Sequence, residues 1–205
     1  MPDQNIPDNP IGTWDEYFDA TVDQPVHFLF QEALRWLPEK GQALDLGCGV
    51  GAGSLFLASQ GLSVTSVDGL SRPLEILASR AKSVERGSVE IVQSKIEDFP
   101  LTPHSYDVVA ATFSLFFVEP DRFLETWSWI VASLKPNGLF LGQLLGPGDD
   151  WAKRGYPTQS EEEISSLLSP FDILVHHHVV KDGATVQRQP KHWDIHHIVA
   201  RKTCQ

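Results

Sequence analysis

The chain has 205 residues, 41% hydrophobic and 21% charged, with a formal net charge of −11. That length suits one domain with a full core. The acidic excess excludes a sequence-independent grip on phosphate backbones, which needs clustered Lys and Arg, and it disfavours docking on anionic membrane.

Residues 1–12 read as a flexible arm with Pro2, Pro7 and Pro10, ahead of a single domain over 13–205. Phe18, Val22, Phe28, Leu29, Leu34, Trp36 and Leu37 recur at helical spacing, which predicts one or two helices within 14–37, ending before Pro38. An alternation then begins. A strand over 42–47 leads to a helix over 52–60, Gly61 ends it, and Leu62 to Val67 reads as a second strand. Ser71 and Pro73 open a helix running to about Val84. Val89 to Gln93 and Tyr106 to Thr112 are the third and fourth strands, and a helix follows over about 121–134. Pro136-Asn137-Gly138 reads as a turn before a fifth strand, Leu139 to Leu145. Ser160 followed by three glutamates opens another helix. Phe171 to Val180 and His192 to Arg201 read as two strands joined through Lys181-Asp182-Gly183, hence antiparallel. Parallel strands alternating with helices and closed by an antiparallel pair predict an α/β fold.

The stretch Asp45-Leu46-Gly47-Cys48-Gly49-Val50-Gly51-Ala52-Gly53 packs four glycines into seven positions directly after an apolar strand. Glycine accepts positive φ and has no Cβ to hold a ligand away. A strand, a glycine turn and a helix make the first half of a nucleotide-binding βαβ unit. Asp68 ends the second strand 19 residues beyond Gly49, close to the spacing of about 20 at which an acid takes ribose hydroxyls. A dinucleotide site presents helix amides to a pyrophosphate. S-adenosylmethionine has no phosphate and carries a sulfonium, which Asp45 is placed to compensate. The sixth place of the dinucleotide pattern is Ala52 rather than glycine.

The segment Asp45 to Gly51 resembles the first motif of class I S-adenosylmethionine-dependent methyltransferases. Val64 to Asp68, Tyr106-Asp107-Val108-Val109 and Leu134-Lys135-Pro136-Asn137-Gly138 resemble, in order, the family's second-strand, fourth-strand and pre-strand-five motifs. The resemblance covers about residues 25–202. It implies a Rossmann-like seven-stranded mixed sheet, mostly parallel with the last strand antiparallel, and helices on both faces. The closing segment Pro190 to Lys202 resembles a small bacterial branch described as tellurite-resistance-like.

Carried over residue by residue, the resemblance implies that Gly47, Cys48 and Gly49 approach the donor through their backbone. Asp45 would support its amino acid end, Asp68 its ribose, and Gly69 and Leu70 its adenosine. The acid usually found beside the adenine is displaced here, since the positions read Lys95 and Ile96 before Glu97; Ile96 and Glu97 are taken as the adenine side. Thr112 and Phe113 stand where the family lines the methyl-transfer mouth, and Tyr17 would close over the donor.

Ligands of open α/β sheets bind outside the carboxyl ends of the strands. Strand seven runs backwards, so its beginning shares that edge. Lys191, His192 and Trp193 are therefore expected on the substrate side, with Phe117, Asp149 and Trp151, and His192 is the expected general base. The expected acceptor is a small molecule, with neither nucleic acid nor membrane as partner, on a cytoplasmic protein that is a monomer or weak dimer. An NAD(P)-dependent oxidoreductase and a non-catalytic donor-binding module are the rival readings.

Plainer roles stand beside these. Asp45 caps turns and Asp68 ends strands in many folds, and Cys48 has no basic neighbour to make it a nucleophile. Cys48 and Cys204 form no disulfide framework. On strands, alternate residues share a face, so His176 with His178 and His192 with His196 pair as conceivable zinc ligands. Surface histidines are the reading adopted, and no metal is expected.

Overall fold

The computed structural model describes residues 12–204; the expected arm at 1–12 lies almost wholly outside them. Seven strands form one sheet: β1 (Gln42–Leu46), β2 (Ser63–Asp68), β3 (Ser88–Gln93), β4 (Tyr106–Ala111), β5 (Leu134–Leu145), β6 (Phe171–Ala184) and β7 (Pro190–Lys202). Their order is β3-β2-β1-β4-β5-β7-β6. β7 runs antiparallel to both neighbours, and the pairings among β1 to β5 are parallel. This is the seven-stranded mixed sheet expected, with the last strand inserted.

Alternation along the strands explains the two layers. Ala43, Val64, Val108, Ala110 and Val199 face α2 (Phe28–Ala33) and α3 (Ala52–Ser59), meeting Leu29, Phe30, Leu57 and Ala58. Leu44, Leu46, Val109, Ala111 and Ile198 face the other way, onto α5 (Phe123–Ser133) and α6 (Glu161–Leu167), through Trp127, Ile130 and Ile164. α4 (Ser71–Arg80) sets Leu74 and Leu77 beside Cys48, Val89 and Ile91. α6 begins as its sequence predicts, with Ser160 and Glu163 exchanging hydrogen bonds in a capping box. No helix among the described residues is long and apolar enough to cross a membrane.

Two turns differ from the sequence reading. Pro136-Asn137-Gly138 lies within β5: between one paired position and the next, β4 advances from Tyr106 to Val108 while β5 advances from Leu134 to Leu139. Asn137 takes φ 63° in that excursion. Asp107 ties the region together, accepting from Gln42 N–H at 2.8 Å and from Lys135 Nζ at 2.6 Å. Lys181-Asp182-Gly183 does not turn either. These residues continue β6, paired with Trp193, His192 and Lys191, because thirteen residues of β7 keep the ladder going. The chain reverses over 185–189, where Thr185 N–H donates to Gln189 O.

Phe140 is fully buried, its ring 4.9 Å from Trp127 and 6.3 Å from Phe171. Phe140→Ala should cost about 3–5 kcal/mol. Urea denaturation should show the loss as a lower midpoint with little change in slope.

Candidate functional site

The carboxyl ends of β1, β2 and β4 open into a cavity of about 450 Å³. Its floor is the glycine turn. Gly47, Gly49 and Gly51 have φ of 68°, 51° and 85°, conformations that β-carbons resist. Space is short as well: a Cβ on Gly47 would lie 2.3 Å from Ser114 Cβ, and one on Gly51 2.2 Å from a Leu77 methyl. Gly47 and Cys48 N–H both donate to Val67 O, at 2.8 and 2.9 Å, so the turn is laced to β2.

Asp45 is buried under this turn. Its Oδ2 accepts from Ser54 Oγ at 2.7 Å, and Ser66 Oγ lies 2.8 Å from Ser54 Oγ. Burial pushes the Asp45 carboxyl up to about 6; hydrogen bonding from Ser54 opposes the rise and the Asp68 charge adds to it. A Cβ at Gly53 would come within 3.0 Å of Asp45 Oδ2 and 2.4 Å of the Phe30 ring. The start of α3 is therefore occupied by the protein's own carboxylate, where a phosphate-binding helix presents bare amides.

Asp68 sits across the turn. Oδ2 accepts from Gly49 N–H at 2.9 Å and Oδ1 from Leu70 N–H at 3.0 Å. Burial raises this carboxyl too, against the pull of the Leu70, Gly49 and Gly69 amides. Tyr17, on α1 (Trp14–Thr21), is pushed up to about 12 by burial and by the nearby Asp68. Glu97 is buried in the same cavity beside Lys95, which also reaches Glu119 at 3.5 Å. Among the lining residues the carboxylates are thus Asp45, Asp68 and Glu97, against Lys95 alone as a strong base. Such a wall suits a cationic ligand and resists a pyrophosphate.

All twelve residues expected on the cofactor side line this cavity: Tyr17, Asp45, Gly47, Cys48, Gly49, Asp68, Gly69, Leu70, Ile96, Glu97, Thr112 and Phe113. The substrate-side set divides. Phe117, Trp151 and Trp193 line it; Asp149, Lys191 and His192 do not. Asp149 and Lys191 lie behind the wall as a buried ion pair. The Lys191 ammonium stands 4.4 Å from the Trp151 ring centre and 3.9 Å from that of Trp193, while Asp149 also accepts from Trp151 N–H at 3.0 Å. They hold the two indoles in place. His192, the expected general base, is not among the residues that line the cavity. Its Nδ1 lies 2.7 Å from Asp182 Oδ1 across the β6–β7 pair, and its N–H donates to Asp150. Strand alternation turns its ring away from the face that Trp193 presents.

Several lining residues were not legible in the sequence. Trp14 packs 5.1 Å from Phe117, and α1 is tied down by Arg72, which reaches Asp15 at 2.8 Å and Asp19 at 2.5 Å. His27 stacks on His197 at 5.3 Å. Gln143 Nε2 lies 3.4 Å from Nδ1 of each ring, and its Oε1 accepts from Phe113 N–H at 2.7 Å. Burial lowers both histidines to about 4, so they are neutral acceptors near pH 7. This network holds Phe113 in its left-handed φ of 53° at the cavity mouth. A glutamine inside the apolar run Leu139 to Leu145 was the signal available.

Residues 44–142 match the family model of the methyltransferase domain. An O-methyltransferase of ubiquinone biosynthesis from Rickettsia felis is 36% identical over 102 residues, which is 49% of this chain and 39% of that relative. The chain thus spans well under half the length of that curated relative. Among solved structures, an S-adenosylmethionine-dependent methyltransferase from Methanosarcina mazei superposes with a TM-score of 0.68 at 20% identity, covering 89% of this chain and 100% of that one. TehB from Haemophilus influenzae gives 0.73 at 18% identity, covering 92% and 66%. These likenesses establish the class I methyltransferase fold.

Asp45 gives this cavity a testable pH signature. Its raised value means the folded chain holds the proton more tightly than the unfolded one. Its stabilising contribution is therefore full below the ordinary carboxylate range and is lost as pH rises through about 6. Asp45→Asn should already gain slightly on wild type at pH 4.5 and gain more at pH 7.5, by up to roughly 3 kcal/mol. Melting curves at the two pH values, without ligand, check this.

Proposed function

We propose that this chain, with a methyltransferase domain over residues 44–142 set on the class I sheet, transfers a methyl group from S-adenosylmethionine to a small-molecule acceptor. The observation that carries the reading is the pair Asp45 and Asp68 at the two sides of the glycine turn. Asp45 fills the place where a dinucleotide's pyrophosphate would sit, and it offers negative charge to a cationic donor. Asp68, fixed by two backbone amides, is positioned to accept from two vicinal hydroxyls. That weighs against the NAD(P) reading. The closing segment Pro190 to Lys202 and the likeness to TehB support a place in the tellurite-resistance-like branch.

Bound there, S-adenosylmethionine supplies a methyl group already activated by its sulfonium. The protein's task is alignment and exclusion of water. Phe113, Phe116, Phe117, Trp151 and Trp193 form an aromatic wall beside the donor end, with ring centres about 5 to 6 Å apart. α1 and the turn at 185–189 roof it, joined where Gln187 Nε2 donates to Thr13 O. The wall favours an apolar or aromatic acceptor whose attacking atom already carries a free lone pair, since the base expected at His192 lies outside.

Titration calorimetry should find S-adenosylmethionine and S-adenosylhomocysteine binding with micromolar affinity and no heat from NAD. Asp68→Ala should weaken donor binding at least tenfold, given about 1.5–3 kcal/mol for each hydrogen bond to a charged group. Binding of NAD instead would refute the assignment. Labelled-methyl transfer across thiols, amines and hydroxyls separates an enzyme from a donor-binding module. In that assay His192→Ala should keep turnover within about twofold of wild type. A hundredfold loss would return His192 to the chemistry.

A further inference from the structure

The face of β6 and β7 turned toward α6 carries a cluster that the methyl-transfer cavity does not use. His178 and His196 are directly paired across the two strands. Glu161, the first residue of α6, sets its Oε1 3.2 Å from His178 Nδ1 and 3.9 Å from His196 Nε2. One donor atom from each of the three residues lies within 4.8 Å of the other two. None of the three lines the cavity.

The outer atoms of both rings are spoken for. His178 Nε2 lies 2.7 Å from Asp194 Oδ1, and His196 Nδ1 lies 2.9 Å from His176 Nε2. With the Nε2–H of His178 donated to Asp194 and the Nδ1–H of His196 donated to His176, the two remaining ring nitrogens present lone pairs toward the Glu161 carboxylate. Three acceptors facing one point repel unless a cation joins them. Imidazole nitrogen backed by a carboxylate is also the arrangement that orients a histidine to bind metal.

We propose that Glu161, His178 and His196 bind a divalent transition-metal ion, zinc by preference. Zinc takes histidine nitrogen and carboxylate oxygen at about 2.0–2.2 Å, which sets ligand atoms roughly 3.3 Å apart. The two carboxylate-to-ring separations, 3.2 and 3.9 Å, are near that spacing, and all three donor atoms fall within 4.8 Å. The rings now stack 3.8 Å apart at 14°, so the ring of His178, the more exposed of the two, rotates off the stack until both lone pairs meet at the ion. Two histidines and one glutamate leave a further position for water. The ion would clip the start of α6 to the strand pair. Asp194 extends its reach, because its Oδ2 accepts from Gly148 N–H at 2.9 Å in the loop that carries Trp151 into the cavity wall.

The proposal is tested on the full chain, stripped of metal by chelator and dialysed. Titration with zinc sulfate should give about one ion per chain and raise the melting temperature. Glu161→Gln changes one solvent-exposed oxygen and His178→Ala removes one ring; each should weaken zinc at least tenfold. His177→Ala, on the opposite strand face and bound to Glu32, should bind as wild type does. Imidazole nitrogen NMR supplies a second reading on the wild-type protein, with zinc moving the His178 and His196 ring signals and leaving His104 unmoved. Stoichiometry far below one, wild-type affinity in both ligand variants, or shifts confined to histidines other than His178, His196 and the His176 bonded to it would overturn the assignment.

Discussion

The structure turns on a carboxylate buried beneath a backbone turn. Asp45 lies under the start of α3 with Ser54 and Ser66 as its polar companions. A carboxyl in that position costs free energy unless hydrogen-bonded, and its surroundings are shaped to supply the bonds. Gly53 lacks a side chain because the Phe30 ring and the carboxylate fill that space. Gly47 lacks one because Ser114, reaching across to Leu46 O at 2.7 Å, fills its own. The turn, the first helix face and the end of β4 are all constrained by the same few cubic ångströms. That packing fixes where the amides and carboxylates of the turn face the cavity.

The other half of the cavity is built by different means. Its aromatic wall comes from loops after β4 and β5 and from β7, which share no local sequence. Loops hold their shape poorly unless something behind them is rigid. Here the Lys191–Asp149 ion pair does this, with Asp149 also accepting from Asp194 N–H and Trp151 N–H. A buried pair of this kind is a weak source of net stability. It is better understood as a positioning device that sets the angle between Trp151 and Trp193. Burial pushes the Lys191 ammonium below its usual range, against the opposing pull of Asp149.

Much of this was legible from residue order. The alternation of apolar runs with helical periods located every strand of the sheet, and the position of Asp45 before the glycines and the spacing from Gly49 to Asp68 brought two acids to the turn. What misled was turn chemistry taken alone. Pro136-Asn137-Gly138 has the composition of a turn, yet β5 absorbs it as an irregular excursion because β4 pairs on both sides of it. Lys181-Asp182-Gly183 has the same composition and stays extended, since β7 is long enough to keep it paired. The histidines show the same effect. Spacing coupled His192 with His196, but register sets His178 against His196 and leaves His192 opposite Asp182.

By itself the sequence determined the cradle: positive-φ glycines, the acid before them and the acid after the second strand all fall within a stretch of 24 residues, Asp45 to Asp68. Over such a short span, backbone geometry and chain connectivity leave few alternatives. Only the tertiary structure decided which side chains meet across the sheet edge. Trp14 meets Phe117, Gln143 links His27 to His197, and Glu161 approaches His178 and His196. Those encounters depend on strand register and on helices folding back over distances of up to more than a hundred residues. A shift of one residue in register turns every side chain to the opposite face, and no local pattern in the sequence records which register packs.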